Sequence, residues 1–145
     1  MRRFVRAAML GVCSAWLVAA AAAQDTVVWP AGDIKWVDSP TMKGAKTAVL
    51  WGDPAKGAFG ALNKIPAGME LANHWHSADR KVVTVSGTIA LSVKGAPAKD
   101  MGAGAFASIP AKVPHSATCK KGADCVYFEE STGKADMVLV DTAKK

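Results

Sequence analysis

After residue 24 no stretch of this chain repeats its apolar residues with a helical period. Short β-rich runs alternate instead with Gly, Pro and Asp. They read "DIKWV", "KTAVLWG", "AFGALNKI", "ELANHWH", "KVVTVSG", "TIALSVK", "GAFASIP", "VPHSAT", "CVYFEE" and "DMVLVD". Roughly ten short strands at such spacing leave an all-β sandwich or barrel as the fold class. "VSGTIALSVKG" reads as a hairpin turning near Ser86–Gly87, while "GDPAKG" and "KGAPAKDMGAG" read as loops. There is no internal repeat and no low-complexity linker, and 145 residues suit one domain.

The first residues have another purpose. "MRRFVR" is a basic start, "AAMLGVCSAWLVAAA" an apolar stretch, and "AAAQ" supplies small residues at a cleavage spacing. We read residues 1–23 as a secretory signal peptide and 24–145 as the folded domain, with its core at about 45–141. The run is short and Ala-rich for a retained membrane anchor. Val12 before Cys13 argues against a lipoprotein site, and Phe4 directly after Arg2–Arg3 against a twin-arginine signal. The expected location is therefore periplasmic or secreted, with no membrane association after cleavage. Losing Arg2, Arg3 and Arg6 takes Lys+Arg from 18 to 15 against 12 Asp+Glu, so the excess falls from +6 to +3. The remaining lysines are scattered rather than clustered, so the charge reads as solubility more than as a nucleic-acid footprint, and no nucleic-acid partner is expected.

Two cysteines remain beyond the signal, in "CKKGADC". An even count in an exported chain favours a disulfide between Cys119 and Cys125, facing each other across a turn. The competing role for Cys119 is metal ligation, since it lies four residues after His115.

The chain holds three histidines, and two of them stand on alternate positions in "HWHSADR". Residues i and i+2 of a strand share a face, so His74 and His76 project together and Trp75 points the other way. Two imidazoles on one face make half of a metal site, and His115, in a distant run just after Pro114, can complete it. Neutral imidazole suits zinc, copper, iron and nickel. Taken on spacing alone, the alternative is three ordinary hydrogen-bonded histidines. Trp29, Trp36, Trp51, Trp75, Phe59 and Phe106 are expected to pack in the core and between sheets. Trp75, between the two histidines, is the one whose packing would also fix their rotamers. Met69 and Met101 read as gap-fillers, and Glu129–Glu130 as the solvated end of a strand. There is no nucleophile elbow and no phosphate loop.

"GMELANHWHSADRKVVTVSG" runs from Gly68 to Gly87, and "GAFASIPAKVPH" from Gly104 through Pro110 to His115. Together they resemble the two motifs of the cupin superfamily, G-x5-H-x-H-x3-E-x6-G and G-x5-P-x-G-x2-H-x3-N. The resemblance implies a single-domain double-stranded β-helix, a jelly-roll barrel. It also implies that His74, His76 and His115 are three of the family's four metal ligands. Three slots depart from the pattern. Arg80 stands where the acidic ligand belongs, Lys112 replaces the second motif's central Gly, and Cys119 its Asn. An inward guanidinium beside a dication is repulsive, so Arg80 is expected to point outward, to reach the mouth, or to be held by Asp79 or an anionic ligand. Glu70 shares the strand parity of His74 four residues back and is expected near the rim.

These features imply one divalent transition metal (Fe, Cu, Zn, Ni or Mn) at an open three-histidine site. Such a site is similar to those of cysteine dioxygenase and the diketone-cleaving dioxygenases, where Arg80 would clamp a substrate carboxylate. On zinc the same site would favour hydrolysis. The expected function is that of a dioxygenase-like oxidoreductase acting on a small molecule. The alternatives are a non-catalytic metal- or ligand-binding sensor and a metal-free barrel. The resemblance also leaves open a homodimer paired through sheet edges, which the sequence itself does not decide.

Overall fold

The computed structural model describes residues 26–140. The expected signal peptide lies outside them. Among the described residues no helix is long and apolar enough to cross a membrane. After a 3₁₀ turn at Ala31–Asp33, the strands are β1 (Val37–Asp38), β2 (Lys46–Gly52), β3 (Phe59–Ile65), β4 (Glu70–Trp75), β5 (Arg80–Ser86) and β6 (Ile89–Val93). They continue with β7 (Lys99–Met101), β8 (Phe106–Ile109), β9 (His115–Cys119), β10 (Cys125–Ser131) and β11 (Val138–Leu139). One sheet has the order β1-β2-β3-β10-β5-β8 and the other β11-β4-β9-β6-β7. Every pairing is antiparallel. From β3 onward the chain passes back and forth between the sheets, remaining in one sheet only for the β6–β7 hairpin. The result is the expected all-β jelly roll.

The hairpin expected at Ser86–Gly87 is instead a corner. β5 is paired with β10 and β8, and β6 with β9 and β7, so neither has a free edge for the other. Gly87 turns the chain at φ +75° and lies so close to β10 that a Cβ there would meet the Asp124 carbonyl oxygen at 2.8 Å. A larger residue is excluded on both counts. The loop expected across "KGAPAKDMGAG" contains β7, whose three residues carry too little pattern to be seen. The first run, "DIKWV", contributes only Val37 to a strand.

Cys119 closes β9 in one sheet and Cys125 opens β10 in the other, and the two are disulfide-bonded with Cα atoms 5.8 Å apart. The bridge therefore joins the two sheets rather than the arms of a hairpin. It is buried in a cluster with Met42, Ala45, Ile65, Ile89, Met101 and Tyr127, against which Met69 packs. Chain-entropy arithmetic for so short a loop gives about 2–3 kcal/mol. The Cys119→Ala, Cys125→Ala double variant is expected to lose that much in urea unfolding; an unchanged midpoint would show the bridge to be dispensable.

The aromatic expectation holds only in part. Phe59 is buried, but Trp29, Trp51 and Phe106 are 47%, 46% and 61% exposed. Trp51 covers Gly60, where an added Cβ would collide with its indole ring. It covers an outer sheet face rather than filling the core.

Candidate metal centre

β4 and β9 are paired so that His74 and His115 stand directly opposite each other. His76 follows one residue beyond the end of β4. The Lys112 amide donates to the His76 carbonyl at 2.8 Å, which ties the loop before β9 to the end of β4. Lys112 keeps the left-handed backbone, φ +62°, of the glycine slot it fills. The ring centroids are 4.3 Å (His74–His115), 5.0 Å (His74–His76) and 5.2 Å (His76–His115) apart. One ligand atom from each residue lies within 4.8 Å of the others.

The ring nitrogens have distinct tasks. Nδ1 of His74 faces the Ala72 carbonyl at 2.7 Å, Nδ1 of His115 the Val113 carbonyl at 3.0 Å, and Nδ1 of His76 the Asp136 carbonyl. A carbonyl only accepts, so each Nδ1 carries the proton and each Nε2 keeps its lone pair. This is how metal-binding histidines are oriented by outer hydrogen bonds. Burial pushes the pKa of His74 and of His115 down against the pull of those carbonyls. His76 falls to about 4, from burial first, with the Asp136 carbonyl opposing and the Arg80 charge assisting. At neutral pH the site therefore offers three uncharged imidazoles.

That arrangement links stability to pH. Because the folded His76 pKa lies below its unfolded value, the unfolded chain binds more protons in between. The His76 contribution is then intact above about pH 6.5 and lost as pH falls toward 4. Metal-free protein is expected to lose roughly 2–3 kcal/mol through His76 between pH 7.5 and 4.5. Glu129 has a raised pKa and acts in the opposite sense, so the share is isolated by urea unfolding of wild type against His76→Gln. Parallel profiles would contradict the assignment.

Arg80 opens β5 and points inward, only 2% exposed. The expected outward or rim placement is thus corrected. Nor does Asp79 hold it, because Asp79 Oδ1 accepts from the Ala111 amide at 2.7 Å. Arg80 Nη2 donates to the Lys134 carbonyl at 3.3 Å and to Asp136 Oδ1 at 3.5 Å. Its Nε lies 3.9 Å from Glu129 Oε2, and its guanidinium carbon 5.5 Å from the Phe59 ring centre. Nε and Nη1 are buried without a hydrogen-bond partner among the described residues. Two acidic groups compensate its charge, and the sequence reading had neither in the site.

Glu129, read as a solvated strand end, is in fact turned inward, because Cys125, Tyr127, Glu129 and Ser131 alternate onto the inner face of β10. Its Oε1 accepts from Asn63 Nδ2 at 3.0 Å. Burial raises its pKa, partly offset by Arg80 and by that bond. Glu70 is corrected in the opposite direction. One extra residue in β4 between Leu71 and His74 shifts the register against β9. The bulge reverses parity, so Leu71 lines the cavity and Glu70 is exposed. Trp75 points away from the histidines and pairs across to Val138 of β11. The three imidazoles, Arg80, Glu129 and Asp136 line a cavity of about 80 Å³ with apolar walls that include Leu71, Val82 and Ile89. That is room for roughly half a dozen waters or a small organic molecule.

The family described as Domain of unknown function (DUF4437) matches residues 19–138. The chain belongs to that family. Its fold is the cupin fold, as solved structures show. An RmlC-like cupin from Ralstonia eutropha is 24% identical with a TM-score of 0.66, over 83% of this chain and 76% of that one. The polyketide cyclase RemF from Streptomyces resistomycificus is 17% identical at a TM-score of 0.66, over 82% and 88%. The DMSP lyase DddQ from Ruegeria pomeroyi is 17% identical at 0.62, over 79% and 64%. No curated protein matches the chain. Against the cupin motifs, all three histidine slots converge as the resemblance implied, whereas the acidic slot holds an arginine already paired to other acids.

Proposed function

We propose that this cupin is an exported, metal-dependent enzyme acting on a small organic molecule inside the barrel. His74, His76 and His115 hold one divalent transition ion. One observation carries the reading: all three Nδ1–H groups are committed to carbonyls, leaving three lone-pair nitrogens in one buried cluster. Such a donor set fits Fe, Cu, Zn or Ni better than Mn, which prefers oxygen ligands. When bound, the ion supplies Lewis acidity or redox capacity at positions that three protein ligands leave open.

The chain's own groups do the rest. Apolar walls keep water low and strengthen every electrostatic contact within. The small volume limits the substrate to a few heavy atoms. A dication and Arg80 outweigh Glu129 and Asp136 by one charge, so the cavity favours a substrate that binds as a monoanion. Arg80, which lines the cavity, supplies the cation that would attract it.

Dioxygenase-like oxidation is the reaction class we favour, because three neutral ligands leave room for substrate and O2 side by side. The fold itself assigns no reaction. The test is metal analysis of the natively exported protein, followed by oxygen uptake with small diketones, thiols and carboxylates. Uptake that disappears in His76→Ala supports the reading. Tight metal binding without uptake would instead favour a non-catalytic binding or sensing module, a reading to which Arg80 in the acidic slot already points.

A further inference from the structure

Of the carboxylate oxygens lining the cavity, one accepts no hydrogen bond among the described residues. Asp136 accepts the Ser77 amide on both oxygens at 3.1 Å. The Tyr127 hydroxyl is turned to Met42 Sδ at 3.6 Å. The imidazoles have their protons fixed on Nδ1. Glu129 differs: Asn63, itself 2% exposed, anchors Oε1, while Oε2 takes no hydrogen bond among the described residues. Arg80 Nε, 3.9 Å from Oε2, is too far to donate yet close enough to favour the carboxylate. We propose that Glu129 is the acid–base group of this cavity. Its Oε2 takes a proton from a small substrate bearing an acidic O–H, or a C–H beside a carbonyl.

In that step the substrate's O–H or C–H bond breaks and both electrons stay on the substrate, which becomes an oxyanion or enolate. A new O–H bond forms on Glu129. Returning the proton to the same atom restores the substrate, and returning it to another gives a tautomer; neither route needs an oxidant. The groups that set Glu129's readiness are Arg80 from β5 and Asn63 from β3; Tyr127 lies two residues before it on the same face of its own strand. Burial raises its pKa, which moves a carboxylate toward the range of an effective base. The proposal rests on the metal reading above and narrows its substrate to a weak acid that binds as its anion.

The test counts protons. Zinc-loaded protein is titrated calorimetrically with acetohydroxamic acid, a small weak acid, at pH 7 in buffers of different ionisation enthalpy. In wild type the proton passes to Glu129, and close to none reaches the buffer. In Glu129→Gln, which keeps a partner for Asn63, about one proton is released per probe bound. Glu129→Asp is expected to restore uptake at least in part. Equal release from wild type and Glu129→Gln, or failure of the probe to bind zinc-loaded protein, would overturn the assignment. A prior titration with zinc alone separates the two readings. If zinc does not bind, the metal centre and this proposal fall together; if zinc binds and proton release is equal, only this proposal falls.

Discussion

His115→Ala is expected to weaken zinc binding by more than about 100-fold, the upper end of what loss of a mere supporting group costs. The measurement is competition against a chromophoric chelator. The reasoning is local. His115 opens β9 directly opposite His74, so alanine removes one nitrogen of three while leaving the β4–β9 ladder intact. The fitting control is Glu70→Ala. Glu70 would weaken binding if it lay near the rim on the His74 side, but the β4 bulge turns it to solvent, so no change is expected. Equal affinity of wild type and His115→Ala would mean that the ion sits elsewhere or that two imidazoles suffice.

The second large effect falls on stability. Arg80→Met should destabilise the metal-free protein by roughly 3–5 kcal/mol, because it leaves the buried Glu129 carboxylate without its cation. The Arg80→Met, Glu129→Gln double variant should recover much of that loss, since the buried carboxylate is then gone, while the part-exposed Asp136 keeps the Ser77 amide. The same Arg80→Met change should tighten zinc binding by removing one repulsive charge from the cavity. Unfolding midpoints of the two single variants and the double variant decide the matter. A double variant as unstable as the sum of the singles would show that Arg80 and Glu129 act independently and that their 3.9 Å approach has no energetic weight.

Much of this site could be read from residue order alone, for identifiable reasons. Alternation in a strand put His74 and His76 on one face, and the two spaced motifs brought His115 to them. The cysteine pairing followed from an even count and the expectation of export. What could not be read depended on register. One extra residue in β4 reverses the parity of everything before His74, and no composition rule reveals where a ladder slips. Glu129 was more accessible: counting by twos from Cys125, whose partner had been inferred, places Glu129 on the inner face with Tyr127. The charge of Glu129 masks this parity, since a charged residue at the end of an apolar run ordinarily marks a solvated edge. For Arg80 the governing expectation is that a cation is not buried near a metal site. That assumption holds only without compensating acids, and those come from Glu129 in β10 and from Asp136 just before β11. The corner at Gly87 and the short β7 failed for a third reason: pairing partners, not local pattern, decide whether two adjacent strands form a hairpin.

The central claim is that three imidazoles converge on one ion. X-ray absorption fine structure of zinc-loaded protein tests it most directly. The account predicts one zinc per chain with a nitrogen/oxygen shell at about 2.0–2.1 Å and outer scattering from three imidazole rings, reduced to two in His115→Ala. A wild-type spectrum with a single imidazole, with sulfur in the shell, or with no change on replacing His115 would contradict it.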